Sequence, residues 1–192
     1  MSPVDPKTSS PLGFLTVLEH ELGLIGGYLV LNATGRPLEF HCTAPVKPNR
    51  AQQILFGPTL EPYLYGEQIG QALLGKGATE PGVVCTDLSP VLAVREFTAL
   101  PVALVLAKRP SIDNGPTEGS SQSTWRLDPP HASPDGLNIF ELGANRLAVP
   151  IHRDADRRQI LERLASAAAF DLAEPFERIR EAIQEANKTA QS

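Results

Sequence analysis

The segment Glu39–Thr43, EFHCT, combines residue types that can transfer protons or attack an electrophile. His41 is adjacent to Cys42, and an imidazole beside a thiol is an arrangement that activates a cysteine nucleophile. The segment has the composition of a β-strand, however, and successive side chains of a strand point to opposite faces. We therefore expect Cys42 to lie with Leu38 and Phe40 on a buried face, as a core thiol that does not pair with His41.

The same alternation places Glu39, His41 and Thr43 together on the other face of this strand. A carboxylate, an imidazole and a hydroxyl in one row form a polar stripe. The stripe is either solvated surface or the floor of a ligand site. As a ligand site it would be completed by Glu61 or Asp87 from elsewhere in the chain.

A second candidate is a short run with two tyrosines, LEPYLYGEQ, at the start of a predicted helix. Tyrosine is enriched where proteins meet their partners, because its ring is apolar and its hydroxyl forms hydrogen bonds. We predict a partner contact at Tyr63, Tyr65 and Glu67. The alternative is ordinary packing of an amphipathic helix with one tyrosine buried.

Three other patterns resemble known sites but lack the required context. The segment GQALLGKG, Gly70–Gly77, matches most of a phosphate-binding loop, yet it ends a predicted helix and has Gly77 in place of the magnesium-binding Ser or Thr. The run HRDAD at His152 has no accompanying glycine-rich loop or D-F-G motif. A zinc site from Cys42, Cys85 and a histidine would need a fourth ligand. We predict no metal site and no cofactor, and these patterns assign no catalytic residue.

Composition sets limits on the class of protein. Acidic and basic residues are interspersed and give a net charge of -5, with no lysine-arginine block to neutralise a row of phosphates. The sequence therefore predicts that nucleic acid is not a partner. No apolar run reaches the roughly 18 residues that span a bilayer, and the start lacks the features of a secretion signal, so we expect a cytoplasmic protein without membrane insertion.

The elements that position these residues follow from hydrophobic spacing and turn residues. The runs GYLVLN and RPLEFHCT flank Ala33-Thr34-Gly35 and predict a β-hairpin. Residues 12–24 have apolar side chains at helical spacing and predict an amphipathic helix. Helices are also expected after Asn49, after Thr59 and in the last forty or so residues, and strands are expected in GVVCT, LPVALVLAK, NIFEL and RLAVPIH.

The 18 prolines mark the boundaries of the domain. Residues 1–11 are predicted to be a disordered N-terminus, and 12–109 the first part of an α+β core. Residues 110–136, which contain the only tryptophan, Trp125, are predicted to be a mobile insertion rich in Pro, Gly and Ser because they bury little apolar surface. Residues 137–188 supply the last strands and the C-terminal helices.

The order of elements predicts an α+β fold with a single mixed or antiparallel sheet of about five strands and helices packed on it. This order, with GGYLVLNATGRPLEF as its first hairpin, resembles the roadblock/dynein light-chain family, and longin and profilin-like domains have comparable orders. The resemblance implies a non-enzymatic module for protein interaction or regulation, with a protein partner, such as a dimeric scaffold or a small-GTPase regulator. The alternative is a small-molecule-binding or enzymatic domain that uses the polar face around His41.

Overall fold

A single seven-stranded mixed sheet forms the centre of the protein in the computed structural model, which describes residues 10–107 and 136–190. The strands occur in the order β3-β2-β1-β4-β5-β7-β6. Their bounds are β1 Leu12–His20, β2 Gly23–Leu31, β3 Pro37–Cys42, β4 Val83–Thr86, β5 Val102–Leu106, β6 Leu137–Leu142 and β7 Asn145–Pro150.

The centre of the sheet is parallel and both sides are antiparallel. Strand β1 runs parallel to β4, and β4 runs parallel to β5. The β1–β2, β2–β3, β5–β7 and β6–β7 pairs are antiparallel. Strands β1 to β3 therefore extend to one side of the β1–β4 junction and the later strands to the other, so the order of strands reverses direction at that junction.

Helical segments cover both faces of this sheet. Between β3 and β4 lie α1 Arg50–Phe56, a 3₁₀ turn Gly57–Thr59, α2 Leu60–Pro62, a π-helix Tyr63–Gly70 and α3 Gln71–Leu74. A 3₁₀ helix, Ser89–Phe97, connects β4 to β5. After β7 come a 3₁₀ turn Ile151–Arg153, α4 Asp154–Arg163, a 3₁₀ turn Ala165–Ala167 and α5 Glu174–Ala190.

Two apolar layers enclose the central strands. In one layer Phe14 of β1 packs edge-to-face on Phe176 of α5, with ring centroids 5.6 Å apart, beside side chains of α4. In the other, Leu15 of β1 packs with Ile69 of the π-helix and Val94 of the 3₁₀ helix. Helices thus cover both faces of β1, and its side chains from Leu12 to Val17 are buried on both sides.

Two adjacent glycines of β2 allow helices to approach the sheet closely. A Cβ at Gly27 would lie 2.3 Å from Ile179 Cγ2 on α5, and a Cβ at Gly26 would lie 2.1 Å from Ile69 Cγ2 on the opposite face. The sequence contains two glycines here because any larger side chain would push one of the helices away from the sheet.

The structure confirms an α+β fold with a single mixed sheet, and it confirms the predicted hairpin as β2 and β3. The predicted number of strands, about five, was too low. Residues 12–24 are not a helix: β1 and the start of β2 occupy them, joined by a tight turn. A roadblock, longin or profilin-like layering is not confirmed.

Several predictions concern residues outside the described ranges. The disordered N-terminus, residues 1–11, falls almost entirely there, and so does the insertion 110–136 with Trp125. The division into these four segments stays a prediction. Within the described ranges, no helix combines the length and apolarity needed to cross a membrane.

Candidate functional site

Strand β3 holds Glu39 and His41 side by side on one face of the sheet. The β2–β3 register pairs Tyr28 with His41 and Val30 with Glu39. Glu39 and His41 therefore lie on the same face of the sheet as the buried side chains of Tyr28 and Val30. His41 Nε2 lies 3.2 Å from Glu39 Oε2, and the two side chains are 31% and 16% exposed, respectively. The carboxylate and imidazole of the predicted stripe therefore form a direct pair.

Glu39 is fixed from its other side by the loop that follows α3. The backbone N–H of Ala78 donates to Glu39 Oε2 at 3.0 Å, and the Thr79 hydroxyl donates to Oε1. The pKa of Glu39 is lowered to about 2, mainly by the hydrogen bond from the Thr79 hydroxyl. Burial opposes this shift by a smaller amount, and the hydrogen bonds from the Ala78 N–H and from His41 lower the pKa further. Glu39 is therefore a permanent anion at neutral pH.

Tyr28 lies behind this pair. It is 1% exposed, and its burial raises the pKa of the phenol well above 10, with a further contribution from the negative charge of Glu39. The phenol therefore stays neutral, next to His41 on the neighbouring strand.

Thr43 does not join the other two members of the stripe. Its hydroxyl accepts a hydrogen bond from the Gly26 N–H at 2.9 Å and extends the β2–β3 pairing by one residue. Neither Glu61 nor Asp87 completes the stripe: Glu61 is exposed, and Asp87 hydrogen-bonds elsewhere. Of the predicted ligand site, the structure brings together Glu39 and His41 and adds Thr79.

The predicted burial of Cys42 is wrong. Cys42 is exposed, and on the same face Leu38 and Phe40 are 46% and 39% exposed. The reason is tertiary, because β3 is the edge strand and α5 packs on β1 and β2 instead. Cys85 of β4, by contrast, is fully buried, and that burial raises the pKa of its thiol to about 12.

A polar cluster that the sequence did not indicate lies at the β1–β4 junction. The buried Thr16 hydroxyl donates to Asp87 Oδ1 at 2.7 Å, and Arg180 of α5 forms an ion pair with Asp87 and a hydrogen bond to Glu177 at 2.8 Å. Ligands of α/β proteins commonly bind beyond the carboxyl ends of parallel strands, where the strand order reverses. The position of Asp87 directly after β4 was the available sequence signal, but Arg180 already neutralises this carboxylate.

The tyrosine run forms a π-helix, and its three candidate residues have different environments. The Tyr63 ring stacks on Phe56 with 3.9 Å between centroids, and its hydroxyl accepts from Gln68 Nε2 at 2.8 Å. Tyr65 packs against the core, and this burial, helped by Glu19 and Glu61, raises the pKa of its phenol. Glu67 is half-buried. A partner contact at Tyr63, Tyr65 and Glu67 stays a prediction.

The other patterns have structural roles. GQALLGKG closes the helical segment and leads into the loop that holds Glu39, as expected for a helix end. His152 lies in the turn before α4. The residues that the structure describes include no group of three or more His, Cys, Asp or Glu side chains placed to hold a metal ion.

Comparisons with known proteins give only structural neighbours. No family model and no curated protein sequence matches this chain. Endonuclease V from Ciona intestinalis, bound to a 23mer DNA that contains inosine, matches with 15% identity and a TM-score of 0.35, over 52% of this chain and 46% of that chain. Endonuclease V from Bacillus subtilis matches with 16% identity and a TM-score of 0.34, over 54% and 47%. A second Ciona complex, with a 24mer DNA, has 12% identity and a TM-score of 0.36, over 58% and 52%.

These neighbours correct several predictions. They are endonuclease V structures, so the resemblance to the roadblock/dynein light-chain family is wrong, and the protein partner or homodimer expected from it is withdrawn. The prediction of a non-enzymatic interaction or regulatory module is wrong for the same reason. The exclusion of nucleic acid is also wrong, because two of the neighbours are DNA complexes. This chain spans about half of each neighbour, and at these TM-scores no residue role or substrate is transferred to it.

Proposed function

We propose that this chain is an enzymatic or small-molecule-binding domain whose functional residues are the paired Glu39 and His41. One observation carries the proposal: a carboxylate that three hydrogen bonds hold in place, one of them to an imidazole. A carboxylate that orients a histidine in this way is a recurrent arrangement in proton transfer, because it fixes both the tautomer and the direction of the ring.

The chemistry follows from the two ring nitrogens of His41. A neutral imidazole has one N–H donor and one acceptor nitrogen. Since Glu39 is ionised and accepts at 3.2 Å from Nε2, the proton belongs on Nε2, and Nδ1 is the acceptor. Nδ1 is then able to take a proton from a hydroxyl or amine of a bound small molecule and to return it later.

The tautomer of His41 is the first test. Long-range ¹H–¹⁵N spectra at neutral pH should show a protonated Nε2 and an unprotonated Nδ1. Glu39→Gln should disturb that pattern, whereas His152→Gln, at a side chain that is 70% exposed and distant in sequence, should leave it unchanged. Equal populations of the two tautomers in the unmodified protein would contradict the proposed role.

Ligand binding is the second test. We would measure melting temperatures with nucleosides, nucleoside monophosphates and a short inosine-containing DNA. At least one probe should raise the melting temperature, and His41→Ala should abolish that rise while the protein remains folded. If His41→Ala responds to that probe as fully as the unmodified chain, the site is elsewhere.

The pH dependence of stability separates Glu39 from a surface carboxylate. The folded pKa of about 2 lies below the ordinary value of 4.5, so the stabilisation from ionised Glu39 is fully present above about pH 4.5 and is lost as the pH falls towards 2. The urea midpoints of the unmodified chain and of Glu39→Gln should therefore differ at pH 7 and converge near pH 2. A difference that stays constant over this range would show that Glu39 is not held as an anion.

A further inference from the structure

The π-helix Tyr63–Gly70 lies against the 3₁₀ helix that connects β4 to β5. A Cβ at Gly66 would lie 2.7 Å from the Ala93 Cβ, and a Cβ at Gly70 would lie 2.9 Å from Val94 Cγ2. The glycines therefore permit direct contact between the two helices. π-Helical turns are rare and often occur at functional sites. The side chains on the outer side of this π-helix are therefore a candidate ligand site, distinct from His41.

An aromatic hollow of about 230 Å³ opens where these two helices meet. The stacked rings of Phe56 and Tyr63 form one wall, and Phe97, which is 46% exposed, forms another. The remaining described lining residues are Thr59, Pro62, Glu67, Ala93 and Glu96. This volume lies below the range of about 300–1,000 Å³ for drug-sized ligands, so it suits a smaller molecule.

The charges at this hollow are negative. The side chain of Glu67 is half-buried and forms no hydrogen bond or ion pair with the described residues, whereas Glu96 is paired with Arg153 at 2.7 Å. Glu67 also lines an adjoining hollow of about 540 Å³ with Gln68 and Gln71. No Lys or Arg is among the described residues that line either hollow. Among the described lining residues, therefore, no basic side chain accompanies the Glu67 carboxylate.

We propose that this aromatic hollow binds a small organic cation, an ammonium compound of about the size of choline. The faces of Tyr63 and Phe97 would attract the cation through their negative π-electron surfaces, and Glu67 would act as its counter-ion. An anion would meet an unpaired carboxylate, and a neutral apolar molecule would leave that carboxylate partly desolvated without compensation. The hollow thus selects for positive charge on an apolar surface.

The test is calorimetric titration of the full chain with choline chloride, with sodium chloride as the control for ionic strength. Choline should bind, and its neutral isostere, in which a tert-butyl group replaces the trimethylammonium group, should bind at least about tenfold more weakly. Glu67→Gln should weaken choline binding by a similar factor, and Phe97→Leu should weaken it as well. Glu80→Gln, an exposed carboxylate that lines neither hollow, is the matched control and should bind as the unmodified chain does.

Three results would overturn the proposal: no choline binding at about 10 mM, equal binding of the neutral isostere, or unchanged affinity in folded Glu67→Gln. His41→Ala should retain choline binding, because His41 does not line the hollow. Failure of the proton-transfer role of His41 is therefore distinguishable from failure of this site.

Discussion

The buried ion pair between Arg95 and Asp156 offers a sharp test of how the helices are held on the sheet. Arg95 lies on the 3₁₀ helix Ser89–Phe97, and Asp156 lies in the first turn of α4. Arg95 Nε and a terminal nitrogen contact the two carboxylate oxygens at 2.6 and 3.1 Å, and the side chains are only 16% and 6% exposed. The pair therefore joins two elements that are distant in the chain, in a bidentate geometry that little water reaches.

Asp156→Leu should destabilise the protein by about 3 kcal/mol, because removal of one partner leaves a buried charge without compensation. The lower end of the usual 3–5 kcal/mol applies, since Arg95 keeps a 2.7 Å hydrogen bond to the Thr98 carbonyl oxygen and some contact with water. The double variant Arg95→Met with Asp156→Leu should recover most of this loss, because two apolar side chains of similar volume need no compensation in the same space.

Urea-induced unfolding, followed by circular dichroism, measures both effects as free energies of unfolding, provided that the slope with urea stays constant. Glu96→Gln is the control: it removes the partner of Arg153 from a pair whose side chains are 52% and 32% exposed, and it should cost far less. A loss below about 1 kcal/mol for Asp156→Leu, or a double variant as unstable as the single one, would refute the argument that burial makes this pair costly to break.

Two further predictions concern the packing of the sheet. At pH 8 a thiol reagent should modify the exposed Cys42 of the native protein and should reach Cys85 only on unfolding. The reason is that Cys85 is fully buried and the pKa of its thiol is raised to about 12. Two fast-reacting thiols in the native protein would contradict the burial of Cys85. Gly27→Val should lower the free energy of unfolding by about 1–3 kcal/mol, because the new side chain would contact Ile179. Gly75→Ala, at an exposed helix end, is the control and should have little effect. Equal losses of stability in the two variants would refute the close helix–sheet contact.

Local features of the chain were predictable from the sequence because short-range interactions decide them. The β2–β3 hairpin follows from two strand-forming runs on either side of a short loop, and Gly35 adopts a φ of 78° there, as its position in the turn suggested. The helix expected after Asn49 is present and begins with a capping box, in which the side chains of Asn49 and Gln52 each accept a hydrogen bond from the other's backbone N–H. Both features involve residues within a few positions of one another.

The character of β1 could not be predicted in this way. A central strand that helices cover on both faces has apolar side chains in both directions, so its sequence lacks the alternation that marks a half-buried strand. In LGFLTVLEH this continuous run also matched a helical spacing, and only its pairing with β2 and β4 shows that it is a strand. The exposure of one face of β3 is also decided by tertiary packing, because α5 lies over β1 and β2 and leaves Cys42 uncovered.

The candidate site likewise has features that the sequence determines and features that only the tertiary structure decides. Strand alternation, a property of the sequence alone, determined that Glu39 and His41 share one face, and they do so in the structure. The tertiary structure decided that Ala78 and Thr79, about forty residues later in the chain, donate the hydrogen bonds that keep Glu39 ionised. It also decided that Thr16, Asp87 and Arg180 meet at the β1–β4 junction. Sequence spacing describes which neighbours a residue has along one element, whereas charge, burial and hydrogen bonding at a site depend on elements that only folding brings together.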